Sequence, residues 1–361
     1  MITWGGGPDG LRARFAERVS AGLYREVVAG APTRPHRTVA AWSAAAVAGL
    51  VHLFTLALAV SAVALVAVRG IGVFQVATAA VLLGLAVLMR PRLGRVPPLA
   101  HVLDRESAPT LFAATDQVAE ALGGRPVWRI VLTADFNAGY TAVGPLRRPV
   151  LLLGHPLWNL LDQGERLALL GHELAHGVNG DTRRGLLVGS SVGSLRELHG
   201  AMRVSPDDMG PVLGFLSALV LSVVSLPVLG VLAVQERLLA RSGQRAEYYA
   251  DDLSARLAGT RAVTSLLAKV ELGEPAVDAL RTALNRGESD IWAAQRAWLA
   301  ARPAAEVLEG PHRVDATHPP TFLRISALGE RPCREPALVL AGDLDAEIRP
   351  LLKRLADDLR G

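Results

Sequence analysis

The sequence predicts a predominantly helical α+β protein that crosses a membrane several times and carries a small sheet beside a histidine-bearing helix. Three observations lead to this fold class. Apolar residues make up 50% of the 361 residues, a share that points to membrane insertion. Apolar runs long enough to span a bilayer occur at two places along the chain. Short strand patterns and amphipathic helical patterns lie between and after those runs.

Two apolar runs near the N-terminus predict a transmembrane helical hairpin over residues 37–90. Val39 to Val68 contains no ionisable side chain except His52, and Ile71 to Met89 contains none. His52 is compatible with a proton or metal site and also with simple helix packing. Residues 1–36 form an amphipathic N-terminal segment that either rests on lipid or packs on protein.

Arginines flank this hairpin unevenly and predict its orientation. Only Arg69 lies in the connection between the two runs, whereas seven arginines lie in the flanks: Arg18, Arg25, Arg34, Arg37, Arg90, Arg92 and Arg95. The positive-inside rule therefore places both flanks in the cytoplasm. We expect a multi-pass protein of the plasma membrane.

Charge and cysteine content limit the possible partners. The net charge of +4 comes almost wholly from arginine, and no basic run with interleaved aromatic residues suggests nucleic acid. The single cysteine, Cys333, excludes an intramolecular disulfide and fits a reducing compartment. A lipid bilayer is the partner that composition predicts, and the oligomeric state is not predicted.

Short patterns outside the apolar runs predict the sheet and its helices. Strand patterns occur at residues 127–132, 137–140 and 150–153, and helical patterns at 106–122, 253–271, 274–285 and 288–308. Residues 91–98 are rich in proline and arginine, which is typical of a linker. The sheet and its helices therefore follow the hairpin as a separate part.

The most informative motif is His172-Glu173-Leu174-Ala175-His176. Residues four apart share one helical face, so His172 and His176 can place two imidazole nitrogens on one metal ion, and Glu173 is placed to hydrogen-bond a water there. Asp162 with Glu165 predicts a capped helix start. Asp181 either hydrogen-bonds the second nitrogen of a histidine or serves as a plain turn residue. A charged helix with unrelated histidines is the alternative.

A third metal ligand is expected downstream, on another helix. Glu247 and Asp251 are four apart on one helical face, which suits Glu247 as ligand and Asp251 as the carboxylate that orients a ligating histidine. An exposed acidic helix that pairs with Arg245 and Arg256 is the alternative. The histidine motif favours the ligand role of Glu247, because its metal ion needs a third protein ligand.

The second apolar region lies between these two motifs. Met209 to Val234 is long enough to span a bilayer, whereas the apolar stretch Gly185 to Leu195 is too short for a full crossing. The two motifs can share one metal ion only if the chain between them returns to the same side of the membrane. We therefore predict a membrane-associated helical pair over residues 183–235.

Together these residues resemble a known family, the membrane-embedded zinc metalloendopeptidases that include the HtpX-type heat-shock protease and the type I CAAX prenyl protease, which are gluzincins. The resemblance rests on three motifs in order, with Asn179-Gly180-Asp181 following the first. They are His172-Glu173-Leu174-Ala175-His176, Glu247-Tyr248-Tyr249-Ala250-Asp251, and Thr317-His318-Pro319-Pro320 followed by Arg324-Ile325. The resemblance covers roughly residues 97 to 330.

The resemblance implies a zincin-like catalytic domain split into residues 97–182 and 236–330, with 331–361 as a C-terminal tail. By resemblance, Glu247 is the third ligand of one Zn²⁺ per chain, and His318 stabilises the oxyanion of the tetrahedral intermediate. Asn137 and Ala138 resemble the edge strand that binds substrate. Family members often carry an aromatic residue directly after this pair, where Gly139 stands here. From the residues alone, His318 could be a loop histidine and Asn137 a turn residue.

The function expected from these features is hydrolysis of protein or peptide substrates at the cytoplasmic face of the membrane, with Glu173 as the general base. The alternative is a catalytically silent membrane zinc protein that acts as an adaptor or sensor. An intact base beside an open metal site distinguishes the enzyme from a structural site closed by four protein ligands.

Overall fold

The structure is a computed structural model, and it describes residues 20–30, 39–91, 96, 100–144, 146–179, 185–202, 211–302 and 319–360. The side chains of residues 211–219 and 241 are not described. The predicted site residues Asp181 and His318 lie outside the described residues. The chain divides into two compact units. The long helix Pro211–Ala258 belongs to one unit up to residue 242 and to the other from residue 243.

The secondary structure is mostly helical, with one four-stranded sheet among the described residues. Residues 20–29 form α1. The remaining helices are α2 Val39–Arg69, α3 Val73–Leu88, α4 Pro109–Ala121, α5 His155–Trp158, α6 Gln163–Val178, α7 Ser190–Ala201, α8 Pro211–Ala258, α9 Thr260–Val270, α10 Gly273–Asn285, α11 Ile291–Ala300, α12 Thr321–Gly329 and α13 Leu352–Asp358. The strands are β1 His101–Leu103, β2 Arg129–Thr133, β3 Ala138–Val143 and β4 Arg148–Gly154. A predominantly helical fold with a small sheet is therefore confirmed.

The sheet belongs to the first unit, which comprises residues 1–35, 94–182 and 243–361. Its strand order is β1-β2-β4-β3, with β2 and β4 parallel and the two outer pairs antiparallel. Alternate residues of the strands point to opposite faces. The face that carries Ile130, Leu132, Leu151 and Leu153 joins the main core, and β3 is an edge strand.

The core of the first unit lies between the sheet, α4, α6 and the helices that follow α8. Trp158 and Phe112 are its largest buried side chains. Ile348 and Leu355 are also fully buried in it. The region for which the sequence predicts a C-terminal tail thus contributes core residues, while the predicted domain boundaries stay a prediction.

The second unit comprises residues 36–93 and 183–242. Helix α2 packs against α3 along the hairpin, and Val51, Met89 and Val192 share one apolar cluster with Leu195 and Leu232. By length and composition, α2 and the part of α8 from Val220 onward can cross a bilayer. Helix α3 is also apolar, but its 16 residues make it shorter than these two helices. Much of their apolar surface is exposed.

His52 contacts the chain around residue 187 within this unit. Its Nε2 atom lies 2.9 Å from the carbonyl oxygen of Leu187 and 3.2 Å from Oγ of Ser190. Residues Gly185–Gly189 form a π-helical turn at this contact. These hydrogen bonds join α2 to the turn before α7, which agrees with the packing alternative for His52.

The helical patterns near residue 259 differ from those predicted. The sequence predicts one helix over 253–271, but α8 ends at Ala258 and α9 begins at Thr260. Gly259 adopts φ of 84°, and a Cβ atom there would lie 3.1 Å from the carbonyl oxygen of Arg334. A residue with a side chain is strained in this conformation, so glycine allows the sharp change of direction.

Candidate metal centre

Helix α6 carries the histidine motif and is fixed firmly at its N-terminus. The Asp162 side chain accepts a hydrogen bond from the Glu165 backbone, and the Glu165 carboxylate accepts one from the Asp162 backbone, which forms the predicted capping box. Glu165 is only 2% exposed. Its carboxylate also accepts hydrogen bonds from Lys269 at 2.6 Å and Ser265 at 2.5 Å. The start of α6 is thereby tied to α9.

Close packing brings α6 against the end of α8. A Cβ atom on Gly171 would lie 3.3 Å from the Cα atom of Ser254, so the two backbones approach closely at this point. The Ser254 hydroxyl donates a 2.7 Å hydrogen bond to the carbonyl oxygen of Ala168. Because Gly171 precedes His172 directly, this contact fixes the position of the histidine motif along α8.

The structure brings His172, His176 and Glu247 together, with one possible ligand atom from each within 4.8 Å of the others. The Nε2 atoms of the two histidines are 3.3 Å apart. Each Nε2 atom lies 3.5 Å from one carboxylate oxygen of Glu247. All three side chains are largely buried.

These spacings fit a tetrahedral metal ion. Ligand atoms that stand about 2.1 Å from a tetrahedral zinc ion lie about 3.4 Å from one another. The separation of 3.3 Å between the two Nε2 atoms matches that value, and the two separations of 3.5 Å, which involve different oxygens of Glu247, lie close to it. Two histidines and one carboxylate are also the ligand set of several catalytic zinc sites, which leave the fourth position open. The residues present therefore fit Zn²⁺.

Asp251 orients the first histidine. Its Oδ1 atom lies 3.1 Å from Nδ1 of His172, on the side of the ring away from Glu247. A carboxylate at Nδ1 keeps the proton on that nitrogen and leaves the lone pair of Nε2 for a metal. Asp251 is 1% exposed. This is the contact that the spacing of Glu247 and Asp251 predicts.

Arg324 completes the polar group around Asp251, and the sequence motif gave it no role. Its Nε and Nη2 atoms donate to the two Asp251 oxygens at 2.8 and 2.6 Å, and Nη2 lies 3.3 Å from Glu247. Arg324 is 7% exposed on α12. Its place in the third sequence motif is the signal that could have indicated a role, although the sequence does not name its partner.

The electrostatics of the cluster favour positive charge. Burial by itself lowers the pKa of His172, but hydrogen bonds with Asp251 and Glu247 and their negative charges raise the pKa to about 10. Two buried carboxylates face the histidines, and Arg324 offsets only one of them. A divalent cation bound by the histidines and Glu247 would balance the negative charge of these carboxylates in place of a proton.

Glu173 lies beside the cluster and is not used by the scaffold. Its side chain is buried, at 8% exposure. Among the described residues, no hydrogen bond or ion pair engages its carboxylate. Glu165, on the same helix, is by contrast fully committed to structural contacts. Glu173 is therefore the acidic side chain of α6 that remains available for chemistry.

The predicted substrate strand is the edge strand β3. The Asn137 side chain accepts a 2.8 Å hydrogen bond from the backbone N–H of Ala138. The backbone carbonyl oxygen of Asn137 accepts another from the N–H of Gly154. Tyr140, on the strand, packs on α6, where a Cβ atom on Gly177 would lie 2.6 Å from its ring. The strand therefore runs directly beside the C-terminal end of the motif helix, although the binding roles of Asn137 and Ala138 stay a prediction.

Comparison with known proteins agrees with this geometry. The model of peptidase family M48 matches residues 117–332, which is more than half of the chain. The chain belongs to peptidase family M48. This membership confirms the predicted family resemblance.

One curated relative is the "Protease HtpX homolog" of Thermococcus kodakarensis, which is 26% identical over 183 residues. The match covers 48% of this chain and 60% of that protein. No solved structure is significantly similar to the chain.

Proposed function

We propose that this M48 family member is a zinc-dependent endopeptidase that is anchored in the plasma membrane and cleaves substrates at the cytoplasmic face. One observation carries the proposal: the ligand atoms of two histidines and one glutamate converge within 4.8 Å, next to a buried carboxylate without structural partners among the described residues. His172, His176 and Glu247 would hold one zinc ion per chain. When bound, zinc would supply the Lewis acidity that makes a water molecule nucleophilic near neutral pH.

The chain's own residues divide the remaining tasks. Glu173 takes the proton from the attacking water and delivers it to the leaving amine, a general acid–base contribution of about 10²- to 10⁴-fold. Asp251 keeps His172 in the ligating tautomer, and Arg324 keeps Asp251 in place. His318 would donate a hydrogen bond to the developing oxyanion, a role that rests on the family resemblance. Asp181, a turn former just after the motif, would hydrogen-bond the second nitrogen of a ligating histidine.

Substrate binding is proposed along the free edge of β3. The other edge of this strand pairs with β4 from Ala138 to Val143. Among the described residues no strand pairs with the outer edge, so its backbone groups can bind an extended peptide as a further strand. Because Tyr140 packs on Gly177, such a peptide would pass close to His176. Asn137 and Ala138 would fix where it starts.

The first prediction follows from the role of Glu173. Replacing Glu173 with Gln should lower the rate of casein cleavage by at least about 10²-fold, because the proton acceptor is lost. The zinc content of the purified protein should not change. Glu120→Gln, an exposed carboxylate on α4, is the matched control and should keep full activity. Normal cleavage by the Glu173→Gln variant would remove Glu173 from the mechanism, and zinc binding without any cleavage by the parent chain would favour the adaptor function.

The proposed membrane topology can be tested with the cysteine that the chain already has. Cys333 is exposed in the unit that holds the site. An impermeant maleimide should label it only after the cells are permeabilised. In a Cys333→Ser background, Ile71→Cys, which lies in the hairpin connection and replaces an 87% exposed side chain, should be labelled on intact cells. Labelling of Cys333 from outside would reverse the orientation.

A further inference from the structure

The face of the sheet turned away from α6 ends in a cluster of arginines around one tryptophan. Arg129 and Arg148, at the starts of β2 and β4, place their guanidinium groups 4.9 and 4.7 Å from the centre of the Trp128 ring. Arg147 lies in the turn between β3 and β4, next to Leu146, whose side chain is 71% exposed. We call these five residues the basic patch.

The basic patch carries a surplus of positive charge. None of its three arginines forms an ion pair with a carboxylate in the part of the chain that the structure describes. Asp104 is the acidic group that acts on Arg129, and its carboxylate already accepts hydrogen bonds from the backbone and hydroxyl of Ser107. The patch can therefore receive negative charge from outside the chain.

The rest of this sheet face is apolar, and the chain reaches it a few residues after the hairpin. Val131, Val143 and Val150 form a buried cluster with Trp128, and Val96 packs against it. Val96 comes only eight residues after Leu88, the last residue of α3. At about 3.4 Å per residue, that stretch of chain spans at most about 27 Å. Val102, on the same face, is 50% exposed.

We propose that the basic patch docks on the anionic phospholipid headgroups of the bilayer in which α2 and α3 are anchored. Tryptophan, arginine and an exposed leucine together are typical of protein surfaces at the membrane–water interface. The charge of the patch complements anionic headgroups, and each arginine near such a surface strengthens binding about fivefold. The inference rests on the proposed membrane anchoring and is independent of the peptidase reaction.

The test uses the full chain in nanodiscs of phosphatidylcholine alone or with phosphatidylglycerol, each containing a lipid with a headgroup quencher. In a Cys333→Ser background, a fluorophore is attached at Leu146→Cys, in the patch, or at Val339→Cys, which replaces a 75% exposed side chain outside it. The label at 146 should be quenched in the anionic nanodiscs and much less in the neutral ones, and the label at 339 in neither. High salt should remove the quenching.

Charge variants of the patch separate docking from other causes. Arg147→Gln with Arg148→Gln should lower the ratio of docked to undocked protein about 25-fold, whereas Lys at both positions should keep most of it. Arg281→Gln with Arg286→Gln, an exposed arginine of α10 and the exposed arginine directly after it, is the matched control and should leave the quenching unchanged. The lysine variant also shows that a loss in the glutamine variant is not a loss of folding.

Several results would overturn the proposal. They are equal quenching at 146 and 339, quenching that does not depend on phosphatidylglycerol, and quenching that the glutamine variant retains. A chain that fails to insert into nanodiscs at all would refute the membrane anchoring, and this proposal with it.

Discussion

Asp251 and Asp252 are neighbours on α8, and both are 1% exposed, yet they serve different parts of the molecule. Asp251 faces His172 on one side and accepts hydrogen bonds from Arg324 on the other. Asp252 faces away from the metal ligands and binds three arginines: Arg256, Arg331 and Arg334. Two adjacent buried carboxylates therefore have one orienting role and one scaffold role.

The difference shows that the partners of a buried carboxylate decide its role. Asp251 links two functional elements, because His172 is a candidate ligand and Arg324 lies on the helix that follows His318. Asp252 links the end of α8 to the chain after α12, which carries Arg331 and Arg334 into the core. A change at Asp252 should therefore affect folding, and a change at Asp251 should affect the metal.

The largest effect on stability is expected at Asp252. Replacing it with Ala leaves three arginines without their shared counter-ion, and breaking such a buried pair costs about 3 kcal/mol, taken at the low end because Arg256 and Arg334 are partly exposed. Urea unfolding of the detergent-solubilised protein measures this. Asp278→Ala, which removes an exposed ion pair with Arg281, should cost less than about 1 kcal/mol. A loss of unfolding free energy in Asp252→Ala no larger than that in Asp278→Ala would contradict the scaffold role of Asp252.

A smaller free-energy change, on the metal rather than the fold, is expected at Asp251. Asp251→Asn keeps the size of the side chain but removes the charge that orients His172, so the zinc dissociation constant should rise about tenfold to a hundredfold. Competition with a fluorescent zinc chelator measures it. Asp252→Asn is the matched control one residue away, and its folded fraction should bind zinc as the parent does. Equal zinc affinity in both variants would contradict the comparison.

The contrast between a site residue and a scaffold residue also applies to histidines, since His172 lies in the candidate metal site and His155 in the core. The smallest change in free energy is expected at His155. His155 is buried against Trp292, and burial lowers its pKa to about 4 from an unfolded value near 6.5. The neutral form is therefore favoured by folding, and its stabilisation is complete above about pH 6.5 and is lost as the pH falls towards 4. Between about pH 7.5 and 5.5 the parent should lose about 1 kcal/mol of unfolding free energy through this residue.

His155→Phe tests that loss, because it keeps the ring against Trp292 and removes the titrating nitrogens, which have no hydrogen-bond partner among the described residues. The variant should show a correspondingly shallower decrease of unfolding free energy over that pH range. Trp292→Phe, which keeps His155, should retain the steeper dependence. An unchanged pH dependence in the His155→Phe variant would show that other groups cause it.

The pairs within the candidate metal site could be predicted from sequence because helical periodicity fixes the spacing inside each helix, whereas the meeting of the two pairs is expected from the need for a third ligand and from the family resemblance. Residues four apart on a helix share a face, so His172 with His176, and Glu247 with Asp251, follow directly from spacing. The small sheet also follows from short apolar patterns. The roles of His318 and Asp181 stay predictions, because both lie outside the described residues.

Contacts between distant parts of the chain could not be predicted in the same way. Arg324 reaches Asp251 across 73 residues, and Ser254 reaches Ala168 across 86. No local pattern encodes such a pairing, because it depends on how α6, α8 and α12 pack. The burial of Ile348 and Leu355 is similar, since most residues of the core cluster that they join lie far from them along the chain.

The central claim is that one zinc ion is bound jointly by His172, His176 and Glu247. The most direct test is the zinc content and affinity of purified Glu247→Ala, compared with the parent and with Glu236→Ala, a carboxylate on the same helix that instead pairs with Arg196. We predict about one zinc per chain in the parent and the control, and a strongly reduced affinity in Glu247→Ala. Parent-like zinc affinity in Glu247→Ala would contradict the account.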